Sequence, residues 1–366
     1  MRYKLLLIII SSIILLVSCS DSTEAEGDEI SVVNQKIFQD FTGRKMIKST
    51  DNSIILGVSN GSEPGIIKLD LNGNKIWEKY YSTTNYGGGF FIDNLTETSD
   101  KGFLLCGSGK SGPSGFLTKT DSLGNLIWKK DSIHAWLYRK ALENNSGEVI
   151  YVKHSGTVGA EVEKYDSIGN LIWSGYFRYN VNNIDLPIAQ IYDFAISPEN
   201  DIYIIYSSHT TKLVEFRISN EGNFEYGTFY DLNCKAGCIF FKDYTHYIFG
   251  RYDAFEDDYY SFLYRISQNY WTTEKSYDQL KSFNGYYANN FTDEGGLLAT
   301  DYDCIVQLDA NFELDWSYEV DWTTTEDRFE STIETGVNMY ALLGTTKWTE
   351  NDSTKSGTFL RFFKKN

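Results

Sequence analysis

The stretch Lys68-Leu69-Asp70-Leu71-Asn72-Gly73-Asn74-Lys75-Ile76-Trp77 is the clearest copy of a unit that recurs along the chain. Close copies occupy residues 119–128 and 164–173. Weaker copies begin at Arg217, Arg265, Gln307 and Arg361. Successive copies start 42 to 54 residues apart. Periods of this length are typical of propellers, solenoids and repeat arrays.

Each unit predicts four short strands, and the second unit shows them best. Its strands are expected over residues 90–96, 103–106, 116–119 and 126–128, with turns at 99–102 and 121–125. Gly and Asn in the last turn supply the positive φ that a tight hairpin needs. The second strands are nearly continuous apolar runs, which indicates sheets covered on both faces. Helical periodicity and helix caps are not evident in the body, so the units favour an all-β propeller.

The two ends of the chain predict how the ring closes. Unit seven has candidate strands at 329–335, 338–343 and 358–363, and the chain then stops at Asn366. Residues 35–41 align with the fourth strand at 74–80, which puts Phe38 at the position of Trp77. A strand from the N-terminus is therefore expected to complete the last blade, which protects the sheet edges. The prediction is a single seven-bladed β-propeller domain over residues 30–366.

The first residues have the pattern of a lipoprotein signal peptide. Arg2 and Lys4 precede an apolar run over residues 5–17, which is shorter than the roughly 20 residues that a spanning helix needs. Leu16-Val17-Ser18-Cys19 matches the bacterial lipobox, in which the Cys is acylated and becomes the N-terminus. We therefore expect a signal peptide over residues 1–18 and fatty acyl chains, such as palmitate, on Cys19. Two or more acyl chains give stable attachment to a membrane.

Residues 19–29 form an acidic tether without a base or a large apolar residue. Ser20 and Asp21, followed by further acids, are also similar to the surface-export signal of some Gram-negative lipoproteins. A generic linker and an export signal both remain open. The expected location is the outer membrane, facing either the periplasm or the cell surface.

The charge balance excludes one class of partner. The 366 residues contain 33 Lys and Arg against 50 Asp and Glu, a formal net charge of −17. Binding of nucleic acid needs a positive surface to neutralise phosphates, which this composition does not supply. Aromatic residues make up 16% of the chain, enough to build a large core.

The element Asp-x-x-Gly-Asn-x-Ile/Leu-Trp, which starts at Asp70, Asp121 and Asp166, resembles the repeat of bacterial lipoprotein β-propellers in the broad quinoprotein-like superfamily. The resemblance covers residues 30–366 and is strongest in the first three units. It implies a propeller and says little about activity, because propellers carry many unrelated functions. The quinoprotein dehydrogenases differ: they are longer, eight-bladed and have an extra Thr before the Gly.

The residues of the repeat have two interpretations each. Trp77, Trp128 and Trp173 either pack between blades or offer platforms for sugars, and their recurrence favours packing. Asp70, Asn72 and Asn74 resemble the start of a calcium loop, but the Gly falls too early and no Glu follows at the twelfth position. A hairpin turn is the better interpretation.

One acidic cluster is a candidate calcium site. Asp253, Glu256, Asp257 and Asp258 crowd the loop between the second and third strands of unit five. Carboxylates this close together can hold calcium. A solvated acidic loop is the alternative, and no other cofactor is expected.

The thiols and histidines give little support for catalysis. Cys234 and Cys238 could close a small disulfide outside the cytoplasm, or stay free because so short a loop strains the bond. Cys106 and Cys304 are expected in the core. The four His have no metal-ligand spacing, and no Gly-x-Ser-x-Gly elbow or phosphate loop is present. No residue is therefore predicted to be catalytic.

The expected function is that of a binding or scaffolding module with a protein or glycan partner. Four aromatic residues fall in loops without a role in the repeat, and they either face a ligand or pack at the rim: Tyr86, Trp136, Trp322 and Trp348. Two alternatives remain open. One is an enzyme that acts on glycans or peptides, which would need carboxylates clustered over the channel. The other is a structural subunit of an envelope assembly machine.

Overall fold

The computed structural model describes most of the chain after residue 29. The described residues are 30–83, 89–109, 114–134, 139–154, 159–181, 184–186, 188–208, 212–242, 244–253, 259–267, 270–277, 289–300, 304–319, 328–350 and 353–365. All the regular secondary structure within these ranges is β-strand. These ranges therefore contain no helix with the length and apolar character to cross a membrane.

The strands follow the units that the sequence predicts. In the second unit, for example, strands begin at Phe90, Phe103, Ser114 and Leu126. In chain order the strands are β1 (Ile30–Phe38), β2 (Thr42–Lys48), β3 (Ile54–Ser59), β4 (Pro64–Leu69), β5 (Lys75–Tyr80), β6 (Phe90–Glu97), β7 (Phe103–Gly109), β8 (Ser114–Thr120), β9 (Leu126–His134), β10 (Arg139–Glu143), β11 (Val149–His154), β12 (Ala160–Tyr165), β13 (Leu171–Phe177), β14 (Tyr179–Val181), β15 (Ile184–Leu186), β16 (Ile188–Ile196), β17 (Ile202–Ser208), β18 (Lys212–Ile218), β19 (Phe224–Lys242), β20 (Thr245–Asp253), β21 (Tyr259–Ser267), β22 (Tyr270–Tyr277), β23 (Asn289–Phe291), β24 (Leu297–Thr300), β25 (Cys304–Leu308), β26 (Leu314–Glu319), β27 (Arg328–Gly336), β28 (Met339–Glu350) and β29 (Ser353–Lys365).

These strands pair antiparallel into sheets around a central channel, and the predicted all-β propeller is confirmed. The described strands form six sheets of four or more strands, where seven separate blades were predicted: β2–β5, β6–β9, β10–β13, β16–β22, β23–β26 and β1-β29-β28-β27. The count differs because β19 runs unbroken through the end of unit four and the start of unit five. It pairs with β18 on one side and with β20 on the other, so the two units share one seven-stranded sheet. Strands β14 and β15 form a small hairpin that the repeat does not predict.

Apolar clusters fill the space between consecutive units. Ile55 of β3 packs in one cluster with Phe103 and Leu105 of the next sheet. The last sheet packs against the first in the same way, since Leu343 and Leu360 share a cluster with Leu56. Every residue of β3, β7 and β11 is buried, which agrees with their continuous apolar sequences.

The Asp of each repeat closes the turn before the outermost strand. The Asp70 carboxylate accepts the backbone N–H groups of Asn72 (2.9 Å) and Asn74 (2.8 Å), and Gly73 has φ +74°. The same bonds recur at Asp121 and Asp166. These hydrogen bonds hold the pKa of Asp70 below its ordinary value. The hairpin turn is therefore confirmed, and the turn's own N–H groups occupy the carboxylate that a calcium loop would need.

The repeated Trp residues pack between blades, as predicted. The Trp128 Nε1–H donates to the carbonyl oxygen of Ser167 in the next unit at 3.0 Å. Trp173 makes the equivalent bond to Asn220 at 3.1 Å. Each ring covers the turn of the following blade.

The repeated cation binds an acid in an earlier turn of its own unit. Lys68 Nζ lies 2.5 Å from Asp51, and Lys164 Nζ lies 2.7 Å from Glu148. Lys119 is 1% exposed and contacts both Asp100 (3.3 Å) and Glu143 of the next unit (3.1 Å). The cation on the third strand of each of these units thus binds the turn that follows the first strand of the same unit.

The observed register of β1 differs from the one predicted by aligning the apolar residues of 35–41 with those of 74–80. β1 pairs antiparallel with β29, and Gln35 lies opposite Arg361. In the first unit the corresponding pair is Trp77 opposite Lys68, so Gln35 holds the Trp position and the placement of Phe38 there is wrong. The Arg361 Nε–H donates to Gln35 Oε1 at 2.8 Å, and this polar pair fixes the register. Phe38 instead stacks on Phe41, with ring centroids 5.0 Å apart.

Candidate functional site: the central channel

The innermost strand of each unit lines a cavity of about 610 Å³. Strands β2, β6, β10, β16, β23 and β27 contribute, together with residues 237–240 of β19. This volume lies in the range of small-molecule sites. The channel is therefore the candidate site on this fold.

β-bulges set which side chains enter the channel. The ladder register shifts by one residue at the same place on five innermost strands, and the extra residues are Arg44, Asp93, Tyr192, Gly237 and Glu330. All five line the cavity. A bulge redirects a side chain that regular alternation would turn elsewhere. This device places Arg44, Asp93 and Glu330 in the lining of the channel.

The channel lining carries more positive charge than the protein as a whole. Among the described lining residues, four are basic (Arg44, Lys45, Arg139, Lys140) and three are acidic (Asp93, Asp193, Glu330). The signs alternate around the ring from unit seven to unit four. A chain with net charge −17 thus has a channel with a basic excess.

Two of the acids are neutralised inside the lining. Arg139 Nη1 lies 3.2 Å from Asp93 Oδ2, and Lys140 Nζ lies 2.8 Å from Asp193 Oδ1. Asp193 also accepts the backbone N–H of Ile239 at 3.1 Å. Burial raises the pKa of Asp93, although Arg139, Lys45 and Arg44 oppose that rise.

Glu330 differs from the other two acids. It is 6% exposed and lines the channel, yet no hydrogen bond or ion pair within 4.0 Å reaches its carboxylate among the described residues. Burial raises its pKa, and the charges of Arg44, Lys45 and Arg328 only partly oppose this. Its carboxylate oxygens are open to the channel, where a ligand could reach them, so Glu330 is a candidate for a functional role.

Arg44 and Lys45 lie on the neighbouring strand β2. The Arg44 guanidinium carbon sits 4.5 Å from the centroid of the Phe91 ring, and no described carboxylate is within ion-pair distance of it. Burial lowers the pKa of Lys45, while Glu330 and Asp93 act in the opposite direction. Arg44 and Glu330 thus both line the channel, and no described side chain forms an ion pair within 4.0 Å of either.

Units five and six supply a neutral side of the channel. Cys238, Ile239, Phe240 and Phe291 line it there, together with the amide of Asn290. The rings of Phe240 and Phe291 meet edge to face at 5.2 Å. The described lining residues of units five and six therefore carry no charge, and the charged groups come from the other units.

Most of the sequence-predicted site residues lie outside the described residues. These are Cys19, Tyr86, Trp136, Trp322, Glu256, Asp257 and Asp258. Asp253 ends β20 and the following segment joins β20 to β21, as predicted, but its side chain is outside the description as well. Trp348 was expected in a loop. It lies instead on β28 opposite Lys355, because the β28–β29 hairpin extends to Glu350 and Ser353.

The geometry does not accommodate the predicted Cys234–Cys238 disulfide. Both residues lie on strand β19, and Cys238 is a buried free thiol. Residues four apart on an extended strand are roughly 13 Å apart, whereas the Cα atoms of a disulfide lie within about 7 Å. Cys106 and Cys304 are buried free thiols in apolar clusters, as expected. Burial raises the pKa of the Cys238 thiol.

The described residues contain no group of three metal-ligating side chains. His246 on β20 is buried, its Nε2 lies 3.1 Å from Glu215, and neither residue lines the channel. The three described channel acids sit on three different strands, and two of them are paired with bases.

Comparisons with known proteins support the fold and no more. The chain matches no protein-family model. No curated protein matches it either. The solved WD40 domain of Neurospora crassa Pan2 is 8% identical, with 93% of this chain and 97% of that chain covered and a TM-score of 0.57. The AfRom2 CNH domain (11% identity, 91% and 98% covered, TM-score 0.48) and a Bacteroides caccae protein of unknown function (11%, 70% and 90%, 0.47) resemble it more loosely.

Proposed function

We propose that this protein is a lipid-anchored binding module outside the cytoplasm, and that its channel holds the ligand. The β-propeller fold supports a binding or scaffolding role. The observation that carries the proposal is the unpartnered, buried Glu330 beside Arg44 in a cavity of about 610 Å³. A fold gains nothing from such a group, so a bound molecule is the simplest partner for it.

The membrane anchor belongs to the proposal through the lipobox at residues 16–19. Residues 1–18 would be removed, Cys19 would carry palmitate or related acyl chains, and residues 19–29 would tether the propeller to the outer membrane. A Cys19→Ala variant should then leave the membrane fraction. Protease treatment of intact cells distinguishes a cell-surface from a periplasmic orientation, because only a surface protein is cut before the outer membrane is broken.

We further propose that the ring has seven blades, with β1 as the outermost strand of the last one. The shared strand β19 would serve two blades, and seven apolar clusters between consecutive units support this count. The pairing of β1 with β29 supports closure by the N-terminal strand. Deleting residues 30–38 should lower the melting temperature substantially; an unchanged midpoint would contradict this closure. The Asp-x-x-Gly-Asn-x-Ile/Leu-Trp turns support kinship with lipoprotein propellers of the quinoprotein-like superfamily.

A protein or glycan partner, an enzymatic role on glycans or peptides and a place in an envelope assembly machine stay as alternatives. Enzymatic hydrolysis of glycans uses two carboxylates that flank one bond. Pairing of Asp93 with Arg139 and of Asp193 with Lys140 favours binding over that chemistry.

The decisive experiment fills the channel without disturbing its charges. Gln190 lines the cavity and is exposed within it, so Gln190→Trp should occupy the space and leave the sheets intact. We expect some members of a panel of amino acids, sugars, nucleotides and carboxylic acids to raise the melting temperature of the wild type and not of Gln190→Trp. Equal shifts in both proteins would place the binding site elsewhere and contradict the proposal.

A further inference from the structure

The polar side chains of the channel divide into those with partners in the protein and those without. Arg139 pairs with Asp93, and Lys140 pairs with Asp193. Lys45 has contacts of its own as well. Five charged or amide side chains of the described lining then remain, and no described ion pair reaches them: Arg44, Asn94, Gln190, Asn290 and Glu330.

Two of the amides are held at one end only. Asn94 Oδ1 accepts the backbone N–H of Ala141 at 3.1 Å, and its Nδ2 has no described partner. Asn290 Nδ2 donates to the backbone carbonyl of Thr332 at 2.8 Å, and its Oδ1 has no described partner. Both bonds reach the next innermost strand, so each amide is fixed at the channel wall. The wall therefore offers a ligand one donor from Asn94 and one acceptor from Asn290.

Arg44 and Glu330 supply a second donor and a second acceptor. They occupy the bulges of β2 and β27, which pack side by side in the first and last sheets. The guanidinium donates hydrogen bonds and the carboxylate accepts them. Each group lies in the field of the other, and the charge of Arg44 lowers the pKa of Glu330 against the effect of burial. Gln190, exposed in the channel, adds an amide that can donate and accept.

These groups discriminate between classes of ligand. An anion that binds Arg44 would meet the Glu330 carboxylate, and a cation that binds Glu330 would meet Arg44. Like charges brought close together are unfavourable, so a neutral molecule fits better than either ion. That molecule must accept from two of the groups and donate to two others. A hydroxyl group does both through a single oxygen.

We propose that the channel binds a small neutral polyol, such as a monosaccharide or a disaccharide. Its hydroxyl groups accept hydrogen bonds from Arg44 and Asn94 and donate hydrogen bonds to Glu330 and Asn290. The cavity of about 610 Å³ lies in the range of sites for small molecules. This inference rests on the proposed function of the channel and names the chemistry of its ligand.

Matched sugars test the charge requirement on the detergent-solubilised full chain. D-Glucose, D-galactose, maltose and lactose are neutral. D-Glucuronate and D-galacturonate add a carboxylate, whereas D-glucosamine and D-galactosamine add an ammonium group. Calorimetric titration should find a neutral monosaccharide bound at least about tenfold tighter than its acidic and its basic analogue, because each analogue meets a like charge. L-Alanine and N-acetylglycinamide represent a zwitterion and a neutral amide.

Two variants assign the charged contacts in opposite directions. Glu330→Gln should weaken the neutral sugar about tenfold, because the acceptor loses its charge, and should narrow the gap to the uronate. Arg44→Gln keeps a donor without the charge, so it should weaken the neutral sugar and narrow the gap to the amino sugar. Glu78→Gln, at an exposed carboxylate on the outer strand β5, is the matched control and should change nothing. A cooperative thermal transition without ligand shows that each variant is folded.

The inference is overturned if no neutral sugar binds, or if a uronate or an amino sugar binds the wild type as tightly as its neutral counterpart. Tighter binding of L-alanine or N-acetylglycinamide than of any sugar also overturns it, as does an unchanged preference in folded Glu330→Gln. Amino acids or nucleotides that Gln190→Trp excludes would in that case leave the channel standing as a binding site. If Gln190→Trp excludes no ligand, the proposed function fails as well.

Discussion

Trp128 lies directly over Gly169 of the next unit. A Cβ on Gly169 would sit 2.7 Å from Trp128 Cγ, and Gly169 has φ +90°. The same relationship joins Trp77 to Gly124 and Trp173 to Gly222. The Gly and the Trp of the repeat therefore form one contact between neighbouring blades at these three positions.

Gly169→Ala should consequently be strongly destabilising. The left-handed backbone costs an L-residue about 1–2 kcal/mol, and overpacking against a fixed ring adds about 1–3 kcal/mol. Gly147→Ala is the matched control, since Gly147 has φ +76° but open space around its Cβ position. Urea unfolding should give a clearly larger loss for Gly169→Ala. Equal losses would mean that backbone conformation alone, and not the Trp128 contact, selects glycine.

Replacing the buried cation of the repeat should also reduce stability. Lys119 is 1% exposed, and Lys119→Met would leave the carboxylate of Glu143, 6% exposed, without its cation. Breaking a buried pair from one side costs about 3–5 kcal/mol. Lys75→Met removes an exposed pair with Glu78 and should cost less than about 1 kcal/mol. A small loss at Lys119, measured by urea unfolding, would show that water reaches Glu143.

The repeat could be predicted from the sequence because its turn and its packing are local or periodic. Asp70, Gly73 and Trp77 recur at fixed spacing, so their structural role could be inferred without knowing any partner. The register of β1 could not be inferred in the same way. There the polar pair of Gln35 and Arg361, rather than an aromatic residue, occupies the Trp position.

The residues that line the channel could not be predicted from the sequence for a related reason. Its residues do not repeat: the bulge position holds Arg44, Asp93, Tyr192, Gly237 and Glu330 in different units. A bulge is defined by the strand opposite, which a single sequence does not reveal. One signal was available, since Asp93 interrupts the apolar sequence that begins at Phe90, but Glu330 lies in a polar sequence that gives no such signal.

Because no described side chain pairs with the Glu330 carboxylate, we expect its removal to raise the melting temperature in a pH-dependent way. Its folded pKa lies above the ordinary value of 4.5, so the folded state holds the proton longer and the contribution of Glu330 to stability falls as pH rises through this range. Glu330→Gln should therefore raise the melting temperature at pH 7 and have little effect below about pH 4. Thermal unfolding across pH 3 to 8 measures the difference.

Asp51→Asn is the control of opposite sign. Burial alone would raise the pKa of Asp51, but hydrogen bonds from Lys68, Ser49 and Ser53 outweigh it and hold the pKa below the ordinary value of 3.8. Its contribution is present above that pH and lost as pH falls. Asp51→Asn should thus lower the melting temperature at pH 7, with the difference shrinking in acid. A Glu330→Gln profile parallel to that of Asp51→Asn would mean that an unseen cation neutralises Glu330.

Phe312 occupies the position of the turn glycine in unit six and has a φ of +61°. Packing of its side chain offsets the strain of this left-handed backbone. The side chain is buried and its ring lies 5.0 Å from Tyr247 and 5.8 Å from Phe240, with Lys242 Nζ 4.4 Å from its centroid. Phe312→Gly would relieve about 1–2 kcal/mol of backbone strain but lose about 3–5 kcal/mol of core packing. We expect a net loss of about 2 kcal/mol in the free energy of unfolding, measured in urea. A stabilised Phe312→Gly protein would instead mean that the turn conformation, and not the aromatic cluster, dominates at this position.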